Sequence, residues 1–245
     1  MPSRGGLASL SAMRTSYLLA AGLVLASTIS ISVLAAPAKV TGFTYSWPRD
    51  MTRYPALVRY LQTDRTKAYA DYAPLFDAPV DMGPPSSTFE SSTEWAVRNE
   101  LPGLIALAAT RYSYTGGAHG LGFVEALLWD TRAGKKVSFA GLFTNPAAAK
   151  ALLTPLYCRA LDKERLVRRG EPTPRDDIFG DCPDLMKDGE IWPDKPVYGK
   201  YSRIAISLSP YTAGPYAEGS YDLEIIIPKG LKRLVKVEYR SLFPG

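Results

Sequence analysis

Apolar and polar residues alternate with a period of two through much of the chain, and this alternation predicts strands. Residues 40–47 read as an opening strand. Residues 88–99, 104–114 and 122–131 predict three more, separated by the turn Leu101-Pro102-Gly103 and the connection Gly116-Gly117-Ala118-His119-Gly120. The turn over residues 130–135 leads into Val137 and Phe139. Residues 202–209 and 221–227 predict two later strands joined by a loop over 210–219, and residues 234–239 a short final one. Two stretches carry helical spacing instead. In the first, over 55–72, Leu57, Tyr60, Leu61, Ala68 and Tyr72 share a face, and Pro55 suits the first turn, where its missing N–H costs nothing. In the second, Asn145-Pro146 supplies a cap and a first-turn proline, Gly170 a stop, and Leu153, Leu156, Tyr157, Ala160 and Leu161 a buried stripe. Pro155 lies inside that pattern and is expected to kink the helix or divide it in two. Arg165, Arg168 and Arg169 complement the dipole at its C-terminal end and read as a solvated helix end. Residues 77–87 read as a loop, and 171–196 as a long connector rich in proline and aspartate.

Ahead of these elements lies a segment of a different kind. Arg4 and Arg14 are its charged residues, an apolar stretch runs from Tyr17 to Ala36, and small residues close it at Val33-Leu34-Ala35 and Ala36-Pro37-Ala38. This is the layout of a cleaved secretory signal over residues 1–38, with Met1 or Met13 as the start. The rival is an uncleaved membrane anchor, because an apolar stretch of about 20 residues can span a bilayer. The remainder, 39–245, is read as one domain, with two intimately packed halves at about 39–144 and 145–245 as the alternative. No later segment is long and apolar enough to cross a membrane, so no stable insertion is expected after cleavage. The whole chain carries a net charge of +5. Without the leader this falls to about +3, too little to argue for nucleic acid as a partner. The two cysteines, Cys158 and Cys182, both follow the leader and are most simply a disulfide that ties the connector to the second helix. A metal site built on the pair is the rival, but further ligands are not evident.

Two glycine-rich segments flanked by strand-like sequence stand out: Tyr112-Ser-Tyr-Thr-Gly-Gly-Ala-His-Gly120 and Pro210-Tyr-Thr-Ala-Gly-Pro-Tyr-Ala-Glu-Gly-Ser-Tyr221. Glycine at such places permits positive φ and close approach of a ligand or another chain. With Trp129-Asp130, Gly141-Leu142-Phe143 and Ile227-Pro228, these motifs resemble the DUF4163/DUF3298 family of exported domains. Cys158-Arg-Ala-Leu-Asp-Lys-Glu-Arg165 and Arg168-Arg-Gly-Glu171 look like its sphingomonad-type branch. The resemblance covers residues 40–243. It implies an α+β fold of antiparallel strands packed on helices, and a place in the cell envelope. Related domains accompany polysaccharide deacetylases and form the extracytoplasmic part of lysozyme-sensing anti-sigma factors. What carries over is a non-catalytic binding or accessory role toward peptidoglycan, another glycan, or a protein such as lysozyme.

Tyr112, Tyr114, Gly116, Gly117, His119, Tyr211, Tyr216 and Glu218 form the candidate ligand surface, since tyrosine offers an apolar face and a hydroxyl together. The bland reading is that these tyrosines pack the sheet and plug turns. His119, the one histidine, is the candidate base of an alternative hydrolase or transferase, with Ser113 and Thr115 nearby but no Gly-x-Ser-x-Gly elbow. One histidine excludes a multi-histidine metal site. Asp176, Asp177, Asp181 and Asp184 lack the spacing of a calcium loop and read as solvated charge. The glycines join strands rather than opening a helix, so they fail the dinucleotide fingerprint. No metal and no cofactor is expected.

Overall fold

The computed structural model describes residues 42–75 and 89–245. The leader, the first positions of the opening strand and the loop expected over 77–87 lie outside them. Among the described residues no helix is long and apolar enough to cross a membrane.

The fold is α+β, with two sheets. The first contains β1 (Phe43–Ser46), β2 (Glu90–Leu101), β3 (Leu104–Tyr114), β4 (Leu121–Asp130) and β5 (Lys135–Val137), in that order. β1 runs parallel to β2, across a connection that includes α1 (Pro55–Tyr72), and the other pairs are antiparallel. After α2 (Pro146–Arg169) and the short α3 (Leu185–Asp188), the second sheet comprises β6 (Glu190–Val197), β7 (Lys200–Leu208) and β8 (Tyr221–Ile226), all antiparallel. A single turn, α4 (Leu231–Leu234), follows.

Successive side chains of a strand point to opposite faces, and β3 buries both. Ile105, Leu107 and Ala109 join Met51, Leu57, Leu61, Trp95, Leu127 and Trp129 in a core beneath α1. Leu104, Ala106 and Ala108 face the other way, into a larger core shared with α2 and the second sheet. On the α1 side the sheet also carries an ion network. Arg111 donates to Asp64 (2.7 Å) of α1 and pairs with Glu125 of β4, while Tyr45 of β1 donates to Asp64.

α2 begins as its cap predicts, with Asn145 Oδ1 accepting the Ala148 N–H (3.0 Å), and ends at Gly170 with φ +78°. Pro155 does not divide it. Pro155 and Ala151, whose carbonyl loses its helical partner, both lie on the exposed face, where water can take that carbonyl. Ala149, Leu153, Tyr157 and Leu161 meanwhile anchor the opposite face on both sides of the proline. The expected connector is also shorter, because its last residues form α3 and β6. β6 accommodates Pro193 and Pro196 because it is an edge strand. The expected strand over 234–239 reduces to one bridge, Val235 to Phe143. Val235, Tyr239, Leu242 and Phe243 bury at helical rather than alternating spacing.

The cluster of arginines at the end of α2 is not a solvated end. Arg165 is wholly buried and donates to the carbonyls of Ala213 (3.0 Å), Asp181 (3.0 Å) and Gly180 (3.4 Å). Its closest carboxylate, Asp162, is 3.7 Å away, and burial holds its guanidinium below the ordinary arginine range. Two turns back, Cys158 is bonded to Cys182, with Cα atoms 5.6 Å apart. The disulfide and Arg165 thus pin the connector to one face of α2. Arg165→Ala leaves the Asp181 carbonyl without its charged donor and weakens the hold on Ala213 and Gly180, where Arg169 and Arg175 remain. It is expected to cost about 3 kcal/mol, read as a lower urea midpoint. An unchanged midpoint would show the clamp to be dispensable.

Candidate functional site

Beyond Ala109 the β3–β4 hairpin extends past the fully buried core, and its positions 110–114 are half-buried or exposed. Strand parity places Thr110, Tyr112 and Tyr114 on the face that carries Leu104 and Ala106 farther down, with Gly122 and Val124 opposite Tyr112 and Thr110. Glycine is needed beside that ring: a side chain at Gly120 would collide with Tyr112. Gly116 and Gly117 take φ of +97° and +94°, and Tyr114 donates to the Gly117 carbonyl (2.8 Å), closing the loop on itself.

The second glycine-rich segment links β7 to β8. Tyr211 sits at φ +70° with its N–H bonded to the Gly214 carbonyl (3.0 Å), and a 3-10 turn spans Tyr216–Glu218. The two segments meet. Tyr216 stacks on His119 with ring centroids 3.7 Å apart and planes 17° apart, and its hydroxyl donates to the Gly120 carbonyl (2.7 Å). Tyr211, 55% exposed, lies beside Tyr216 with centroids 5.7 Å apart. Tyr211, Tyr216 and His119 therefore form a row of rings. His119 Nδ1 is 3.0 Å from the Gly120 carbonyl, a hydrogen bond when that nitrogen carries the proton, because a carbonyl only accepts. No hydroxyl or carboxylate among the described residues bonds the imidazole, Ser113 and Thr115 included.

Glu218 is committed inward. Arg169 grips its carboxylate with two bonds (2.8 and 2.9 Å), and Tyr221 donates to the same group. That grip holds the carboxyl below its usual range, against a smaller opposing effect of burial. Arg168 donates to the carbonyls of Glu218 (2.6 Å) and Ser220 (3.0 Å) and lies 4.0 Å over the Tyr221 ring. Arg168 and Arg169 thus shape the loop rather than forming the solvated helix end expected of them. Their positions relative to Arg165, i+3 and i+4, place all three on one helix face, and that spacing was the signal.

Glu125 and Glu218 do not converge. Glu125 projects to the α1 side of the sheet, where Arg111 holds it. Of the aspartate cluster, Asp184 caps α3 and pairs with Lys150, and Asp177 accepts the Phe179 N–H (2.8 Å). Among the described residues no three His, Cys, Asp or Glu side chains gather as metal ligands.

A groove of about 500 Å³ lies between Gly122–Val124 of β4 on one side and Pro210 and residues 216–220 on the other, with Thr110 and Tyr112 also lining it. The groove lies at the junction of the two loops, and Tyr112, Phe123 and Tyr216 are its aromatic lining. No family model matches the chain, and no curated protein matches it. The structure is similar to the crystal structure of a DUF3298 family protein from Pseudomonas aeruginosa PAO1, with 21% identity and a TM-score of 0.47 over 67% of each chain. It is also similar to a member of the DUF3298 family from Bacteroides fragilis, with 20% identity and a TM-score of 0.47 over 80% of this chain and 73% of that one.

The lowered carboxyl of Glu218 sets a pH dependence. A folded pKa below the unfolded value stabilises above about pH 4.3, and the contribution is lost as pH falls through the folded pKa. Chemical melts from pH 6 down through the acid range are expected to show less acid destabilisation in Glu218→Gln than in the unaltered chain. Identical acid profiles would contradict the assignment. Tyr216→Phe keeps the ring on His119 but deletes the bond to Gly120. It is expected to cost about 1 kcal/mol in the same melts, and a neutral result would mean that stacking alone joins the loops.

Proposed function

We propose that this chain is a non-catalytic binding module of the cell envelope, exported to the periplasm through a cleaved signal, and that its loop junction takes the saccharide part of an envelope polymer. The observation that carries this reading is a groove of about 500 Å³ lined by Tyr112, Phe123 and Tyr216, with Tyr216 stacked on His119 and beside the exposed Tyr211. Sugar rings have apolar faces that suit aromatic rings, while their hydroxyls need polar partners, and tyrosine supplies both kinds of contact. Tyr211 strengthens the reading. A non-glycine residue held at positive φ is strained, and here the ring so placed is more than half exposed. A catalytic role for His119 has less support, because among the described residues no nucleophile or carboxylate is bonded to it. Paired-carboxylate chemistry has less still, because Glu125 and Glu218 are each held in an ion pair on different faces. The kinship with DUF4163 domains and with the sphingomonad-type branch rests on the motifs alone.

The test is co-sedimentation of the purified chain with peptidoglycan sacculi, paired with calorimetric titration of chitotetraose. Binding to both is expected, and Tyr211→Ala should weaken it about fivefold with the melting temperature unchanged. Absence of binding to either probe would overturn the reading. Saturable heat with a C-type lysozyme in its place would make the ligand a protein.

A further inference from the structure

The outer edge of β4 is only partly covered. β5 pairs with Leu128, Trp129 and Asp130, and among the described residues no strand lies along the edge from Leu121 to Leu127. In an antiparallel ladder the N–H and C=O of one residue point to the same side, and that side alternates along the strand. Ala126 shows which side its set takes, since its N–H donates outward to Glu190 Oε2 of β6 (2.8 Å). The register of β4 on β3 is unbroken, so Val124 and Gly122 also direct their backbone groups outward. Neither makes an outward hydrogen bond among the described residues. Both border the same groove as Tyr216.

Natural sheets blunt exposed edges with prolines, charges, short strands or covering elements. Several edges here show these devices: β6 carries Pro193 and Pro196, and β1 and β5 are short, while on β4 itself Glu190 covers Ala126. The stretch over 121–125 has no such guard, because its one charged side chain, Glu125, is turned to Arg111 on the far face. Two residues with outward donors and acceptors, spaced about 7 Å apart, present what an extended polypeptide backbone pairs with. Gly122 adds an approach unobstructed by a side chain.

Building on the saccharide reading, we infer that the groove recognises a glycan substituted with a short extended peptide. The sugar lies toward Tyr216, and the peptide backbone pairs with the outward groups of Gly122 and Val124. The aromatic row alone would suit many sugars. The adjacent open edge selects those that carry a peptide.

The test titrates the chain with N-acetylglucosaminyl-N-acetylmuramic acid, with the same disaccharide bearing its tetrapeptide, and with the free tetrapeptide. The peptide-bearing form is expected to bind about tenfold tighter than the bare disaccharide. Val124→Pro removes one outward N–H that the β3 ladder does not use, and should bring the two affinities together. Amide hydrogen exchange supplies a readout that needs no variant: Gly122 and Val124 should gain protection with the peptide-bearing form and not with the bare disaccharide. Equal affinity for the two sugars, or an advantage without protection at those amides, overturns the strand pairing while leaving the saccharide reading in place. Failure of both sugars to bind sinks the saccharide reading as well.

Discussion

Arg165 and Arg169 extend from α2 to the Ala213 carbonyl, and Arg169 also grips Glu218, so the loop between β7 and β8 takes its shape from a helix distant in sequence. That loop has little regular structure of its own and little apolar side chain to bury. Charge-assisted bonds to its carbonyls replace what a core would otherwise supply. The arrangement costs desolvation of Arg165, whose closest carboxylate is only at the margin of pairing distance, and it succeeds because several carbonyls share the cation. Once the loop is held, Tyr216 lies over His119 and the groove has its second wall.

The first wall follows from strand parity. Along β3 and β4, alternate residues sort to two environments with different chemistry. One face takes α1 and the network of Arg111, Asp64, Glu125 and Tyr45. The other takes the second sheet lower down and the groove farther out. A one-residue slip of β4 would exchange Glu125 for Val124 and destroy both environments at once, so the register is strongly specified. The ion network therefore supports the groove without touching it.

Much of this architecture could be read directly from the chain. The first helix begins and ends where Pro55 and Tyr72 placed it, and the second where Asn145-Pro146 and Gly170 placed it, because caps and first-turn prolines act locally. β3 matches because its apolar run has a glycine turn at each end. Pro155 misled because the propensity of one residue was outweighed by packing along a whole helix face. Pro193 and Pro196 misled because their tolerance depends on β6 lying at an edge, which is a fact of sheet order. The candidate residues were legible as types, since glycine and tyrosine cluster visibly. That Glu218 turns inward while Tyr211 stays exposed depends on Arg169, and no spacing within the loop reveals it. The open edge of β4 was least visible of all, because it arises from a mismatch in length between β4 and β5.

The hydrogen bond from Tyr216 to Gly120 joins residues 96 apart in the chain. Contacts of that range form late, because the loop they close must first lose its freedom. The β2–β3–β4 meander is local and can form early, but without the C-terminal third it lacks Tyr216 and the opposite wall. The complete groove is thus a property of the finished fold alone. An incompletely folded chain would present one side of the groove without the other, so the closed loop junction marks completion of the fold.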